Sequence, residues 1–298
     1  MTDDEETPKP RIGFIGMGNM GSRMSARFLT AGYPLTVYDR SEKKTKALEK
    51  AGAAVAASPR KLASLCDVIM SCVTNDEAIE AVMLGADGAL DGAKPGSIFI
   101  DLSTVYPATS RRIFESAKAK GIDMLDATVS GSTPQAEQGS LVVMVGGENS
   151  TFQRCRTILS VIGKEVTYIG SSGSGAIMKL AVNTLLGLGL QAVAEAIALG
   201  EKAGLDREVL LDMLGATAVI SPAHRMKLHN ARSREYPATF PVRLMHKDFG
   251  LIMRLAAELS VPMPATAAAF QMCSAENAKN KDEDYSATIK LMEELSVA

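Results

Sequence analysis

A glycine-rich turn near the amino terminus restricts this chain more than any other feature. Residues 11–21 read Arg-Ile-Gly-Phe-Ile-Gly-Met-Gly-Asn-Met-Gly, which sets Gly16, Gly18 and Gly21 in a G-x-G-x-x-G spacing. A β-like apolar run over 11–15 precedes the turn, and a helical stretch over 20–31 follows it, stopped by Gly32. In that setting each glycine has its own mechanical role, namely a tight turn, backbone room for a pyrophosphate, and close helix–strand packing. Met17, Gly18, Asn19 and Met20 then offer backbone amides at a helix start, where the positive end of the helix dipole faces the phosphates. Asp39 ends the next expected strand, about twenty residues further on, where an acid that binds a ribose belongs. A merely structural glycine turn requires neither the helix nor the acid, so the combination points to a dinucleotide.

The rest of the composition is that of a globular protein. The 298 residues leave room for two domains, and 46% hydrophobic with 22% charged residues is enough for a well-buried core. A formal net charge of −2, with both signs interleaved, argues against a nucleic-acid surface. The four cysteines (Cys66, Cys72, Cys155, Cys273) form no CxxC pair and the three histidines have no zinc-ligand spacing, so no metal site is expected. Reduced thiols and the acidic, polar opening, which lacks the form of a signal peptide, suit a cytoplasmic protein. Residues 1–10 read as a disordered tail. The most apolar stretch, 176–199, carries Lys179, Asn183, Gln191 and Glu195, and reads as a buried helix, not a membrane span.

Along the chain, β-like runs alternate with helical stretches in the first half, as in a parallel sheet with crossover helices. Strands are expected over 11–15, 35–38, 68–72, 97–100, 124–125, 141–145 and 166–169, with helices over 20–31, 42–51 and near 78–83. Glycines at Gly170, Gly173 and Gly175 mark a joint. Beyond it the spacing is helical over 176–203, 207–214, 247–260 and 265–278. The fold class is therefore α/β: a Rossmann-type dinucleotide-binding domain over 11–172, then an all-helical domain over 173–298 serving substrate binding and dimerisation.

The cofactor type is open at this level. Asp39 suits the ribose hydroxyls of NAD(H) and repels a 2′-phosphate, whereas Arg40, Ser41 and Lys44 suit that phosphate, or simply form a solvated helix start. The balance leans to NADP(H). Val73 and Thr74, at the end of the third strand, are placed beside the adenosine.

Three further segments carry a family resemblance. Asp101-Leu-Ser-Thr104, Ser130-Gly-Ser132 within Asp126-Ala-Thr-Val-Ser-Gly-Ser, and Gly175-Ala-Ile-Met-Lys-Leu-Ala-Val-Asn183 resemble, in this order, motifs of the β-hydroxyacid dehydrogenase (3-hydroxyisobutyrate dehydrogenase-like) family; Phe240 through Lys247-Asp248 adds a fourth. The likeness runs from Arg11 to about Ile289. Residues 129–132, Ala136-Glu137, Glu235-Tyr-Pro, Phe240-Pro and Asp282-Glu-Asp-Tyr285 are most similar to the glyoxylate/succinic semialdehyde reductase branch. That branch carries Asn-Arg-Thr where this chain has Asp39-Arg40-Ser41, and Thr128 stands where these relatives usually have proline. The resemblance implies NAD(P)H-dependent reduction of a small carboxylate-bearing aldehyde, or oxidation of the matching hydroxy acid. It further implies that Ser130, Gly131 and Ser132 grip the substrate carboxylate, that Phe240 packs near the substrate, and that Thr104 and Lys247 touch the cofactor. Asp248 supports Lys179 or Lys247.

Reducing a carbonyl by hydride requires a proton donor at its oxygen. Lys179 is the expected donor, on a helix whose other inward positions read as Ile177, Leu180, Leu185 and Leu186. Such surroundings disfavour the charged form and ease proton exchange. Asn183, four residues on, shares its face and can hold the same oxygen or orient the ammonium. The substrate is expected in a cleft between the domains, and a homodimer or homotetramer is expected because the long helix is apolar on most of its circumference. The competing readings are a non-catalytic dinucleotide-binding module and an imine reductase; Lys179 speaks against both.

Overall fold

The computed structural model describes residues 8–297. Of the tail expected over 1–10, residues 1–7 lie outside the described residues. Lys9 donates to the Ala31 carbonyl (2.7 Å) and lies 5.3 Å above the Tyr33 ring.

The chain forms two compact units that divide after Lys179. The first is built in the order β1 (Ile12–Ile15), α1 (Asn19–Thr30), β2 (Leu35–Tyr38), α2 (Lys46–Lys50), β3 (Ala54–Val55), α3 (Pro59–Leu65), β4 (Val68–Ser71), α4 (Asp76–Leu84) and α5 (Ala89–Gly92). It continues with β5 (Ile98–Asp101), α6 (Pro107–Lys118), β6 (Asp123–Ser130), α7 (Thr133–Gln138), β7 (Leu141–Gly147), α8 (Asn149–Leu159) and β8 (Gly163–Gly170). The helix α9 (Ser174–Lys202) starts in this unit and continues into the second, which adds α10 (Arg207–Ala216), α11 (Pro222–Ser233), α12 (Val242–Glu258), α13 (Pro264–Asn280) and α14 (Thr288–Val297).

Among the described residues the strands form one sheet in the order β3-β2-β1-β4-β5-β6-β7-β8. β1 pairs in parallel with both β2 and β4, so the strand order reverses beside it. In open α/β sheets the crevice outside the carboxyl ends of the strands at such a switch point is where ligands bind. All four residues of β1 are buried, as a central strand covered on both faces requires. Ile12, Phe14, Val37, Val68 and Met70 pack on the face covered by α1, and Ile15, Leu62, Ile69, Ile79 and Phe99 on the other.

The structure departs from the expected all-parallel sheet at one pairing: β6 and β7 run antiparallel, with Ala127 opposite Val145. Only residues 131–140 connect them, fewer than the dozen or more that a parallel crossover needs. The helix expected over 42–51 is divided into a 3₁₀ turn, Glu42–Lys44, and the short α2. The joint marked by the glycines is also tighter than expected. The first turn and a half of α9 belongs to the first unit, seven residues past Ser172, because Asp126 on β6 accepts hydrogen bonds from the Gly173 and Ala176 amides (2.8 and 3.0 Å).

In the second unit a buried ion pair fixes the loop before α12. Lys227 Nζ lies 2.8 Å from Asp284 Oδ2, and the same oxygen accepts from the amides of Thr239 and Phe240 (both 3.1 Å). Burial pushes the Asp284 carboxyl up, but Lys227 and the hydrogen bonds outweigh it and hold it below the usual range.

Candidate active site

The cofactor end of the first unit is assembled at the carboxyl ends of three neighbouring strands. Gly16 follows β1, Asp39 follows β2, and Cys72, Val73 and Thr74 follow β4; the walls of a single cleft come from these strand ends and turns and from α4. Gly16, Gly18, Asp39, Arg40, Lys44, Val73 and Thr74, all expected from the sequence, line it together. The sequence reading missed Ile15, Tyr38, Cys72, Ala78, Ala81 and Val82 on the same walls. The spacing of 78, 81 and 82 on one helix face was the available signal. α4 is well anchored for this work: the Asn75 side chain caps it by accepting from the Ala78 amide (3.1 Å).

The three glycines have different duties in the structure. Gly16 has φ +98°, and a Cβ there would meet the Cys72 carbonyl oxygen at 2.3 Å. A Cβ on Gly21 would stand 1.9 Å from the Gly16 oxygen, so α1 lies directly against the turn. Gly18 is the opposite case, with nothing within 4 Å of a Cβ. That open side of the loop is where a pyrophosphate has access to the start of α1, so these residues fit a dinucleotide. Met17 is buried, Met20 is half-buried and packs against the core, and Asn19 is exposed.

Asp39 braces this loop. Its Oδ2 accepts from the Met17 amide (2.8 Å) and its Oδ1 from the Ser41 amide (2.9 Å), with Lys44 Nζ 3.8 Å from Oδ1. One carboxylate thus ties the glycine turn to the end of β2. A second tie joins the turns after β4 and β5. Buried Asp101 accepts from Ser71 Oγ (2.6 Å) and the Ser103 amide (3.1 Å), and Ser103 Oγ accepts from the Val73 amide (2.9 Å). Burial raises the Asp101 pKa, against the pull of those hydrogen bonds. Thr104, next in line, is half-buried.

The expected substrate loop closes β6. Ser130 is half-buried at the strand end, Gly131 is exposed with φ +133°, and Ser132 precedes α7. Both donors of Ser132, its amide (3.0 Å) and its hydroxyl (2.8 Å), go to Gln135 Oε1. Here Ser132 shapes the loop from within.

Lys179 is half-buried on α9, but the apolar shell expected around it is thinner than the sequence suggested. Leu180 is buried and Leu186 half-buried, whereas Ile177 and Leu185 are 37% and 72% exposed. At roughly 100° per residue both lie well over 100° round the helix from Lys179, so they never shared its face.

One turn after Lys179, Asn183 is 1% exposed and donates from Nδ2 to Asp248 Oδ2 at 2.6 Å. Its Oδ1 is buried and has no hydrogen-bond partner among the described residues. Lys247 Nζ lies 2.9 Å from the other oxygen of Asp248, which is itself buried. Lys247 and Asp248 are therefore not an exposed charge pair, and Asp248 serves Asn183 as well as Lys247. Phe240 is half-buried, its ring 5.6 Å from that of Tyr285. Its amide is held by Asp284, which lies within the Asp282–Tyr285 motif but was given no role from the sequence.

Comparison with known proteins identifies the family. Residues 11–170 match the family described as the NAD binding domain of 6-phosphogluconate dehydrogenase. Residues 173–292 match that described as the NAD-binding of NADP-dependent 3-hydroxyisobutyrate dehydrogenase. The chain is 36% identical to 2-(hydroxymethyl)glutarate dehydrogenase of Eubacterium barkeri, over 96% of each chain. It is 35% identical to the chloroplastic glyoxylate/succinic semialdehyde reductase 2 of Arabidopsis thaliana, over 94% of this chain and 79% of that one. A solved 3-hydroxyisobutyrate dehydrogenase from Salmonella typhimurium superimposes with a TM-score of 0.87 at 31% identity, covering 94% of this chain and 99% of the other. With the dinucleotide loop, the Lys179 helix and the full-length match in agreement, this chain belongs to the 3-hydroxyisobutyrate dehydrogenase-like family of NAD(P)-dependent hydroxyacid dehydrogenases.

Proposed function

We propose that the protein reduces a short aldehyde bearing a carboxylate, of the glyoxylate or succinic semialdehyde type, with Lys179 as the proton donor. The observation that carries this reading is the buried, unpartnered Oδ1 of Asn183, one helical turn from Lys179. A buried acceptor without a donor costs about 1–3 kcal/mol, and the hydroxyl formed by carbonyl reduction is a donor of the required kind. Asp248 fixes the amide so that its oxygen is the free end.

The nicotinamide, when bound, supplies the hydride. The chain does the remainder. Gly16, Gly18 and the start of α1 would hold the phosphates, Asp39 keeps that loop in place, and Val73 and Thr74 with Ala78, Ala81 and Val82 would receive the adenosine. Ser130 and Gly131 take the substrate carboxylate. Lys179 gives a proton to the carbonyl oxygen as the carbon becomes tetrahedral, and Asn183 accepts from the new hydroxyl. In the reverse direction Lys179 takes that proton back.

NADP(H) is the preferred form. The Asp39 carboxylate is already engaged by two amides and by Lys44, while Arg40 and Lys44 line the same cleft and can meet a 2′-phosphate. Two copies pair through the helical domain: Ile177, Leu185 and Leu199 on α9 are 37%, 72% and 73% exposed, and such an apolar stripe calls for cover. A Leu185→Glu variant that elutes like the wild type in size-exclusion chromatography would contradict that pairing.

The test is a paired kinetic comparison of NADPH and NADH with glyoxylate, succinic semialdehyde and tartronate semialdehyde, and of the oxidised cofactors with 3-hydroxyisobutyrate. The expected result is the highest kcat/KM for glyoxylate or succinic semialdehyde with NADPH. A preference for NADH would return the ribose to Asp39, and a preference for 3-hydroxyisobutyrate would reassign the substrate.

A further inference from the structure

Strand β6 is buried between β5 and β7, yet alternate residues along it are polar: Asp126, Thr128 and Ser130. With a two-residue period these three share one face of the strand. Asp126 and Thr128 are 2% and 1% exposed, so neither is a surface residue by accident of the pattern. The bonds of these two side chains go to the first turn of α9 and to the glycine just before it. Asp126 Oδ1 accepts from the Gly173 amide (2.8 Å), Asp126 Oδ2 accepts from the Ala176 amide (3.0 Å), and Thr128 Oγ1 donates to the Gly175 carbonyl (2.8 Å).

The contact has no cushion. A Cβ on Gly175 would lie 2.3 Å from the Asp126 carbonyl oxygen and 2.6 Å from that of Met144. One on Gly146 would lie 2.6 Å from Asp126 Oδ1 and 2.8 Å from the Gly175 amide nitrogen. The helix start thus rests on the bare backbone of β6 and β7, and the three side-chain bonds set its register there. Gly175 stands one helical turn before Lys179, so a shift at the clamp passes directly to Lys179. Two residues beyond Thr128 on the same strand face, Ser130 opens the loop that takes the substrate carboxylate.

We infer that Asp126 and Thr128 are positioning residues for the reaction: together they register the start of α9 on β6 and so set where Lys179 stands relative to the 130–132 loop. The inference rests on the reading of Lys179 as the proton donor. The carboxylate is kept here at a cost, since burial raises its pKa to about 6 despite the amides of Gly173 and Ala176.

Thr128→Val removes the hydroxyl at nearly constant volume, and Thr128→Ser keeps it. Each is compared with the wild type for kcat, KM, the NADPH dissociation constant, the solvent isotope effect on kcat, and Tm. The expected result for Thr128→Val is a kcat at least about tenfold lower, since misplacement by ~1 Å can cost ~100-fold. The solvent isotope effect should be larger, NADPH affinity unchanged, and activity recovered in Thr128→Ser. A Thr128→Val enzyme with wild-type kcat and isotope effect overturns the inference. So does a loss of kcat that follows Tm alone and is not rescued by serine. Lys179→Ala, run in parallel, separates the two ideas. If it is inactive while Thr128→Val is unimpaired, only the positioning role fails. If it still turns over, the role of Lys179 fails and the inference goes with it.

Discussion

Replacing Gly18 and Gly21 by alanine, one at a time, separates the two duties of the glycine turn. A Cβ at position 21 would stand 1.9 Å from the Gly16 oxygen and 3.3 Å from Phe14 Cε1. Side-chain carbons do not approach within 3.0 Å, so α1 must retreat from β1 by about 1.1 Å. The atom in the way is backbone and cannot rotate aside, which puts the cost at the upper end of overpacking, about 3 kcal/mol. For a unit of this size that lowers Tm by roughly 6–12 °C. At position 18 the new methyl meets no protein atom within 4 Å, and only the poorer N-cap weighs against it. Tm should fall by roughly 4 °C at most, on the same scale. The methyl does occupy the space a pyrophosphate needs, so affinity for NADPH should drop by about 10- to 100-fold, equivalent to about 1.4–2.8 kcal/mol. The assay is a thermal melt without cofactor, paired with a titration that follows the fluorescence of NADPH itself, since the chain has no tryptophan. Undiminished NADPH affinity in Gly18→Ala would show that the phosphates lie elsewhere. An undiminished Tm in Gly21→Ala would refute the close-packing argument.

Three further substitutions test other parts of the structure. Asp126 titrates at about 6 in the folded chain against an ordinary value of 3.8, so it favours folding most below pH 4, and that contribution is lost as the pH climbs through 6. Relative to Asp126→Asn, wild-type stability measured by urea unfolding should therefore fall by up to about 3 kcal/mol between pH 4 and pH 7; a constant difference contradicts the assignment. Asp248→Asn frees the Asn183 amide to turn over and leaves Lys247 without its carboxylate. It should lower kcat/KM by about 10- to 100-fold, the worth of a hydrogen bond to a charged group, and steady-state kinetics with unchanged activity would count against it. Asp284→Ala strands the Lys227 ammonium in the interior and should cost about 3–5 kcal/mol in a urea titration, whereas a surface pair would lose under about 1 kcal/mol.

The dinucleotide half of the site was legible because its chemistry is written in local sequence. Gly16, Gly18 and Gly21 lie in one turn, and Asp39 ends the very next strand, so spacing alone brought them together. The apolar wall at Ala78, Ala81 and Val82 was not read, because small apolar residues on a short helix look the same whether they face a core or a ligand. The strand β7 was expected over 141–145, but its antiparallel direction was not read, because a buried strand such as Leu141–Gly147 carries no direction in its composition. Ile177 and Leu185 show the opposite error, in which hydrophobicity suggests burial although helical period places them away from Lys179. The roles of Asp126, Thr128 and Asp284 depend on partners 44 to 57 residues away, and no local pattern encodes such pairs.

The proposed reaction depends on a single ammonium group, and Lys179→Ala removes it. Single-turnover reduction of glyoxylate or succinic semialdehyde by prebound NADPH, measured beside NADPH affinity, isolates the chemical step from cofactor capture. A general acid contributes about 10²- to 10⁴-fold, so the rate should fall by at least about 100-fold while NADPH binds as tightly as before. Wild-type single-turnover rates in that variant would rule out Lys179 as the proton donor.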